Sequence, residues 1–300
     1  MEVHQLRAFL TVRDTGSATA AAARLGVRQS TVSAAIRSLE HDLGAQLFHR
    51  VGRGMTPTPA GRALVGSARR ILRDCDQAAE LLSSTGQRGR LELAALSTVV
   101  SGPLSDQVAR WLDSAPGRTV QVHDLAREES AVEVLLNGTA EVVCTRLPLA
   151  VPTDERLEQI EIGAWGWQVA FPPGTEPPTQ ESAQESVSMG ELAGVPMLLV
   201  APGRHSALER ATTRTPLTVA VVADQREART SLMLAGVGAT IVGPRLAAEA
   251  RDAGAPVRDL SPSYDQRVGL VYDAEALSPL ARSFVDAALA DHGQERTARG

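Results

Sequence analysis

Lysine is absent from all 300 residues, so every one of the 30 basic side chains is an arginine. A GC-rich genome would favour that usage, which carries no chemistry of its own. Aromatic residues make up only 3% of the chain, too few for the stacking platforms that hold single-stranded nucleic acid. The two cysteines, Cys75 and Cys144, stand far apart and in no metal-type spacing, as reduced thiols in a cytoplasm do. No apolar run approaches the roughly 18–20 residues that cross a bilayer. The first residues read as an amphipathic helix, so neither a signal peptide nor a membrane anchor is expected. Catalytic patterns are missing too. There is no G-x-S-x-G elbow, and the six histidines, at 4, 41, 49, 123, 205 and 292, show no paired metal spacing. Gly236-Val237-Gly238 follows a helical pattern and lacks the third glycine of a dinucleotide fingerprint, so it reads as a helix-to-strand turn. No catalytic residue, metal or cofactor is expected, and an enzyme is the least favoured class.

What is present begins with size. Three hundred residues at 43% hydrophobic content can bury a sizeable core, and at roughly 150 residues per domain they suggest two. The net charge of −5 hides an asymmetry. Residues 1–90 carry 13 Arg against 7 acidic side chains, a net +6, whereas residues 91–300 carry 17 against 28, a net −11. A basic first third on an acidic body is the footprint of a DNA-binding module carried by a domain of another kind.

Val3, Leu6, Phe9 and Leu10 share one helical face, and Gly16 stops that helix after about Thr15. Ser17 can cap a second, alanine-rich helix from Ala18 to Leu25, whose small side chains suit the close packing of a helix-turn-helix. A third helix is expected from about Gln29 to Leu43, with Val32, Ile36, Leu39 and Leu43 as its apolar face. Its other face carries Gln29, Ser30, Ser33 and Arg37 near the helix start, where a recognition helix meets base edges. The run from Gln46 to Thr58 reads as a hairpin with Gly52 and Gly54 at its turn, a wing that presents Arg50 and Arg53 to phosphates or a narrow minor groove.

Thr58 and Pro59 have the chemistry of a helix start. From there one helix is expected to reach about Thr85. Leu64, Ala68, Ile71, Cys75, Ala78 and Leu82 follow one another at spacings of 4, 3, 4, 3 and 4, a seam that wants a partner helix or its own domain to cover it. Cys75 on that seam reads as a small core residue. After the polar hinge Gln87–Arg90, strand and helix patterns alternate, which signals an α/β sheet with crossovers. Strands are expected at Leu91–Leu96, Thr119–Val122, Glu141–Thr145, Trp167–Phe171, Met197–Val200, Leu217–Val222, Thr240–Val242 and Val268–Tyr272. Helices are expected at Leu104–Asp113, Val132–Leu136, Ser206–Thr212, Glu227–Ala235 and Pro279–Ala290, with Pro172–Ser188 as a surface loop.

These residues together resemble the LysR-type family of transcriptional regulators. The marks are Val32-Ser33, Ile36-Arg37, Leu39-Glu40, Leu43-Gly44, Leu47-Phe48, Arg50 and Thr58-Pro59-Ala60-Gly61. In the body they are Leu135-Leu136-Asn137-Gly138, Gly190–Pro196, Ala235–Gly238 and Leu277–Ala281. The resemblance implies an N-terminal all-α winged helix-turn-helix (1–58), a dimerisation helix and hinge (59–89), and a periplasmic-binding-protein-like α/β effector domain (90–300). Its lobe one would span 90–161 and 268–300, and its lobe two 162–267, with crossings near Ile162 and Arg267. It implies base reading by Gln29, Ser30 and Ser33, with Thr31 and the wing arginines on the DNA backbone. It also implies effector contacts at Ser97, Thr98, Arg204, His205 and Ser206, with Arg146 as a further candidate. Hydroxyls and arginines of that kind favour an anionic ligand. Expected partners are double-stranded operator DNA, a small effector, a second copy or a tetramer, and RNA polymerase, in the cytoplasm. The alternative is a ligand-binding sensor acting mainly through protein contacts.

Three departures from the family pattern stand out. Arg28 replaces the usual capping Ser, so Ser30 would have to cap the third helix, or Arg28 would hold a phosphate. Ala34 stands where an Arg is common, which removes one DNA contact. Ser105 stands where a Pro is common, a change expected to be neutral.

Overall fold

The computed structural model describes residues 1–52, 54–82, 89–125, 127–149, 155–178, 186–200, 207–223 and 225–298. Its first unit packs α1 (Val3–Thr15), α2 (Ala18–Leu25) and α3 (Gln29–Leu43) around one core. Leu6, Phe9 and Val12 meet Val32, Ile36 and Leu39 there, and all six are buried. Ala21 and Ala22 face the same core, and their small side chains let α2 approach closely. A hairpin of β1 (Phe48–Val51) and β2 (Gly54–Pro57) follows, antiparallel, with Phe48 opposite Pro57 and Val51 opposite Gly54. The Phe48 ring lies 5.4 Å from that of Phe9, which pins the wing to α1.

The linker helix α4 runs 24 residues, Pro59–Leu82, or about 36 Å at 1.5 Å per residue. Half of its expected seam is covered by its own chain. Ala68 is fully buried in the N-terminal core, and Leu64 and Ile71 pack against the same core. Farther along, Cys75 is half-buried and Ala78 exposed, while the Leu82 side chain lies outside the described residues. The apolar spacing marks a stripe that is buried as far as Ile71, and periodicity does not say which surface covers it.

Two sheets build the C-terminal body. The first joins β3 (Gly89–Ala95), β4 (Arg118–Asp124), β5 (Val142–Leu147), β6 (Leu157–Gly166) and β13 (Asp265–Asp273) in the order β4-β3-β5-β13-β6. β3 runs parallel to β4 and β5, whereas β13 runs antiparallel to β5 and β6. Helices α6 (Ser105–Asp113) and α11 (Pro279–Ala298) pack on it, with Trp111 edge-on to Phe284 at 5.5 Å. The second sheet has the order β10-β9-β11-β7-β12-β8. Its strands are β7 (Gln168–Ala170), β8 (Ser186–Val187), β9 (Pro196–Leu199), β10 (Thr218–Val222), β11 (Ala239–Val242) and β12 (Val257–Leu260). Around it lie α8 (Ala207–Arg214), α9 (Arg226–Leu234) and α10 (Pro244–Asp252).

The chain passes between the sheets at Trp167 and at Ser261–Tyr264. Those points lie later and earlier, respectively, than the expected Ile162 and Arg267. β6 and β13 stay paired to Gly166 opposite Asp265, so the lobe-one ladder extends farther than expected. The sequence pattern also missed β6, α10 and β12 altogether, and β8 lies within the stretch read as loop.

Candidate functional site

The surface expected to face DNA is the start of α3. Arg28 occupies the N-cap position with no side-chain cap bond, and the helix begins at Gln29. Ser30 therefore lies inside the first turn and does not replace the missing cap. Arg28, Gln29, Ser30, Thr31 and Arg37 are exposed, and Ser33 is half-buried. Gln29 Nε2 donates to Ser33 Oγ at 2.8 Å, so two expected base readers hold each other. The amide keeps its carbonyl oxygen and a second N–H, the acceptor–donor pair that matches the major-groove edge of adenine.

The helix is fixed from behind. Glu40 Oε1 accepts from the backbone N–H of Leu47 at 2.8 Å and of Phe48 at 3.3 Å, tying α3 to the wing. The wing is also held to the α1–α2 turn, where Met55 N–H donates to Gly16 O at 2.7 Å. Thr58 closes the arrangement: its hydroxyl donates to Gln46 O at 2.7 Å and accepts from Gly61 N–H at 2.9 Å. Arg50 is exposed on β1, and Arg53 lies outside the described residues. The role of Glu40 was missed; its sequence signal was only its place in the Leu39-Glu40 match.

In lobe one the parallel strands β3, β4 and β5 end side by side, with Ala95 opposite both Asp124 and Cys144. Crevices past such carboxyl ends are where α/β sheets take small ligands. Ser97 opens the short helix α5 (Ser97–Val99). Leu96 holds the N-cap position, and Ser97 is exposed. The Thr98 side chain lies outside the described residues. Near the end of β5, Arg146 Nε donates to Glu128 Oε2 at 3.0 Å. Glu128 begins the 3-10 turn Glu128–Ser130 that leads into α7 (Ala131–Leu136). The sequence offered Arg146 as a candidate without indicating its buried partner. From lobe two, Arg204, His205 and Ser206 fall outside the described residues.

The lobes touch at Ser105. Its hydroxyl donates to Gly102 O at 2.8 Å and accepts from Arg245 Nη1 at 3.1 Å, so serine in place of proline is not neutral here: it supplies an inter-lobe contact. A separate cavity of about 700 Å³ lies between the N-terminal unit and lobe one, lined by Arg13, Arg62, Val65, Glu129, Glu133 and Asn137 among others. Beside it, α4 docks on the turn after α7. Arg69 Nη1 donates to Thr139 Oγ1 at 2.5 Å and to Asn137 O at 3.2 Å, and Arg73 Nη1 donates to Gly138 O at 2.7 Å.

Comparison with known proteins agrees with this geometry. Residues 3–62 match the model of the bacterial regulatory helix-turn-helix protein, lysR family, and residues 84–292 match that of the LysR substrate binding domain. The HTH-type transcriptional regulator TfdS of Cupriavidus pinatubonensis is 30% identical over 308 residues, covering 98% of this chain and 100% of its own. ClcR of Pseudomonas putida, also an HTH-type transcriptional regulator, is 31% identical over 258 residues, covering 81% of this chain and 82% of its own. Full-length CbnR, solved in complex with its target DNA, superposes with a TM-score of 0.64 at 25% identity, covering 97% of this chain and 99% of that one. ArgP from Mycobacterium tuberculosis shares the fold, with a TM-score of 0.67 at 22% identity over 95% of each chain. A winged helix-turn-helix, a linker helix and a two-lobed substrate-binding domain, matched in that order along nearly the whole chain, make this protein a member of the LysR family of DNA-binding transcriptional regulators.

Proposed function

We propose that this regulator reads operator bases with Gln29, Ser30 and Ser33, and holds the DNA backbone with Arg28, Thr31, Arg37, Arg50 and Arg53. A small effector bearing a carboxylate or similar anionic group binds between the lobes and changes how the DNA is held. The observation that carries the effector site is that Ser97 follows the carboxyl end of β3, while the Arg146–Glu128 pair ties the end of β5 to the segment after β4. Arg204, with His205 and Ser206, meets the ligand from lobe two. Closing the lobes adds those contacts, and a ligand shifts a two-state equilibrium only by its difference in affinity between the states.

Arg204→Ala should therefore leave operator affinity intact and blunt the inducer response of a reporter. A normal dose-response in that variant would place the site elsewhere. The DNA reading has its own test. Gln29→Ala should lose about 1–3 kcal/mol of discrimination at the base it reads, whereas Arg53→Ala should weaken all sequences alike and flatten the salt dependence. Equal affinity for operator and random DNA in the parent protein would favour a sensor that works through protein contacts.

Self-association is supported by the remaining α4 stripe around Ala78 and by the edge strand β10. Val219 and Val222 on that strand are 50% and 56% exposed, and an uncovered apolar edge is a pairing surface. As a regulator it works in the cytoplasm, with RNA polymerase as its downstream partner. No described helix is long and apolar enough to cross a membrane.

A further inference from the structure

Glu141 lies just before β5, and its side chain is only 1% exposed. Its backbone N–H donates to Glu92 O at 2.9 Å, which ties its main chain to β3. One carboxylate oxygen, Oε1, accepts from the backbone N–H of Ser278 at 2.8 Å. Ser278 in turn accepts from Ala281 N–H at 3.1 Å through its hydroxyl, at the start of α11. The other carboxylate oxygen, Oε2, is out of water and has no hydrogen-bond partner. Among the described residues, the cation paired with it is Arg73, whose Nε stands 3.9 Å away and whose side chain is 18% exposed.

Arg73 belongs to α4, the linker helix, whereas Glu92 and Ser278 belong to lobe one with Glu141 itself. A buried carboxylate is unfavourable unless it is paired and hydrogen-bonded. Breaking such a pair by removing one partner is the costly case, because the other charge stays behind uncompensated. Here the partner stands on a different structural unit from the charge it neutralises. Arg69, one turn earlier on α4, differs in this respect. It donates to uncharged groups of the 137–139 turn, so it holds the helix on lobe one without compensating a buried charge there.

We propose that Arg73 supplies the counter-charge for Glu141, so that the effector domain has its full stability only while the linker helix is docked on it. Arg73 acts as a positioning residue. Lifting α4 from lobe one strands the Glu141 carboxylate, and the effector domain therefore resists undocking with part of its own folding energy. The linker is by this means a structural ligand of the domain it carries.

The test is a double-mutant cycle in the full-length protein, read by calorimetry. Added operator DNA raises the transition of the N-terminal unit by mass action, and the transition it leaves in place is that of the effector domain. Arg73→Gln should lower the effector-domain transition by about 5 °C. Adding Glu141→Gln to that variant removes the stranded charge while keeping an acceptor for Ser278 N–H, and should restore at least half of the loss. Arg73→Lys, which keeps the positive charge, should melt close to the parent. Operator affinity should match the parent's throughout, because the start of α3 is untouched. An effector-domain transition unmoved by Arg73→Gln overturns the proposal. So does a loss that Glu141→Gln fails to restore, since the bond from Arg73 to Gly138 O would then account for it alone. If the Glu141→Gln chains show no effector-domain transition at all, the arginine series decides. Arg73→Lys near the parent with Arg73→Gln well below it supports the proposal, and equal melting of the two overturns it.

Discussion

Gly61→Ala should abolish specific operator binding while leaving the effector domain folded. In an ordinary helix this substitution stabilises by up to about 1 kcal/mol, because alanine restricts the unfolded chain and suits helical geometry. Here the sign reverses. A Cβ at Gly61 would lie 2.2 Å from the carbonyl oxygen of Leu47 and 3.1 Å from its carbon. That carbonyl cannot step aside. It accepts from Thr58 N–H at 2.9 Å, the Leu47 N–H is held by Glu40, and the Leu47 side chain is buried in the core. Relief must come from moving α4 away from the wing, which breaks the Thr58 hydroxyl bonds on both sides.

Overpacking of this kind costs about 1–3 kcal/mol, and more where backbone is hit. At about 4–8 °C per kcal/mol for a module of this size, the N-terminal unit should melt on the order of 10–20 °C lower. Calorimetry of the full chain would show one transition shifted and the other in place. Gel-shift titration would show operator and random DNA bound alike, because the proposed base readers Gln29 and Ser33 can discriminate only while α3 and the wing are fixed. Ser67→Ala, at an exposed position of the same helix, should be neutral or slightly stabilising. An unshifted melt with operator affinity within about twofold of the parent, well under 1 kcal/mol, would show that α4 does not press on Leu47.

The part of the molecule legible in the sequence was the part whose signals are local. Gly16 stops α1 as expected, and the spacing of Val32, Ile36 and Leu39 against Gln29 and Arg37 separated the buried face of α3 from its exposed one. Elements were missed where the local signal is weak for a physical reason. β6 is an edge strand of its sheet, only half-buried over most of its length, so Glu158 and Glu161 break its apolar run. β12 is four residues long with Arg258 and Asp259 in its middle, and α10 buries only alanines. The Arg146–Glu128 pair was illegible for another reason. Its partners are brought together by the order β4-β3-β5, and nothing at positions 128 and 146 by themselves encodes that order. The linker seam shows a third limit: Ala68 was rightly placed on a buried stripe, and it is the chain's own helix-turn-helix core that buries it.

Gly66→Val should detach lobe one from the linker helix. At this position the helix backbone meets the backbone of the turn after α7. A Cβ on Gly66 would sit 2.2 Å from Leu136 O, and one on Gly138 would sit 3.1 Å from Gly66 O. Only a bare helix face lets the two approach so closely, and that approach brings the acceptors of the 137–139 turn to Arg69 and Arg73. Hydrogen bonds to a charged donor contribute about 1.5–3 kcal/mol each, so pushing the turn away removes several kcal/mol of interdomain attraction at once. The two domains keep their own cores, because Val65 and Ala68 pack on the helix-turn-helix and the lobe-one core forms a separate cluster. The variant should therefore bind operator DNA but adopt a longer shape, read as a larger maximum dimension in small-angle scattering. Arg69→Ala should move the same way by less, since Arg73 and the glycine contact remain. Arg70→Ala, at an exposed position, should not move it. A Gly66→Val protein with the parent's scattering curve and the parent's effector response would show that lobe one does not rest on α4 in solution.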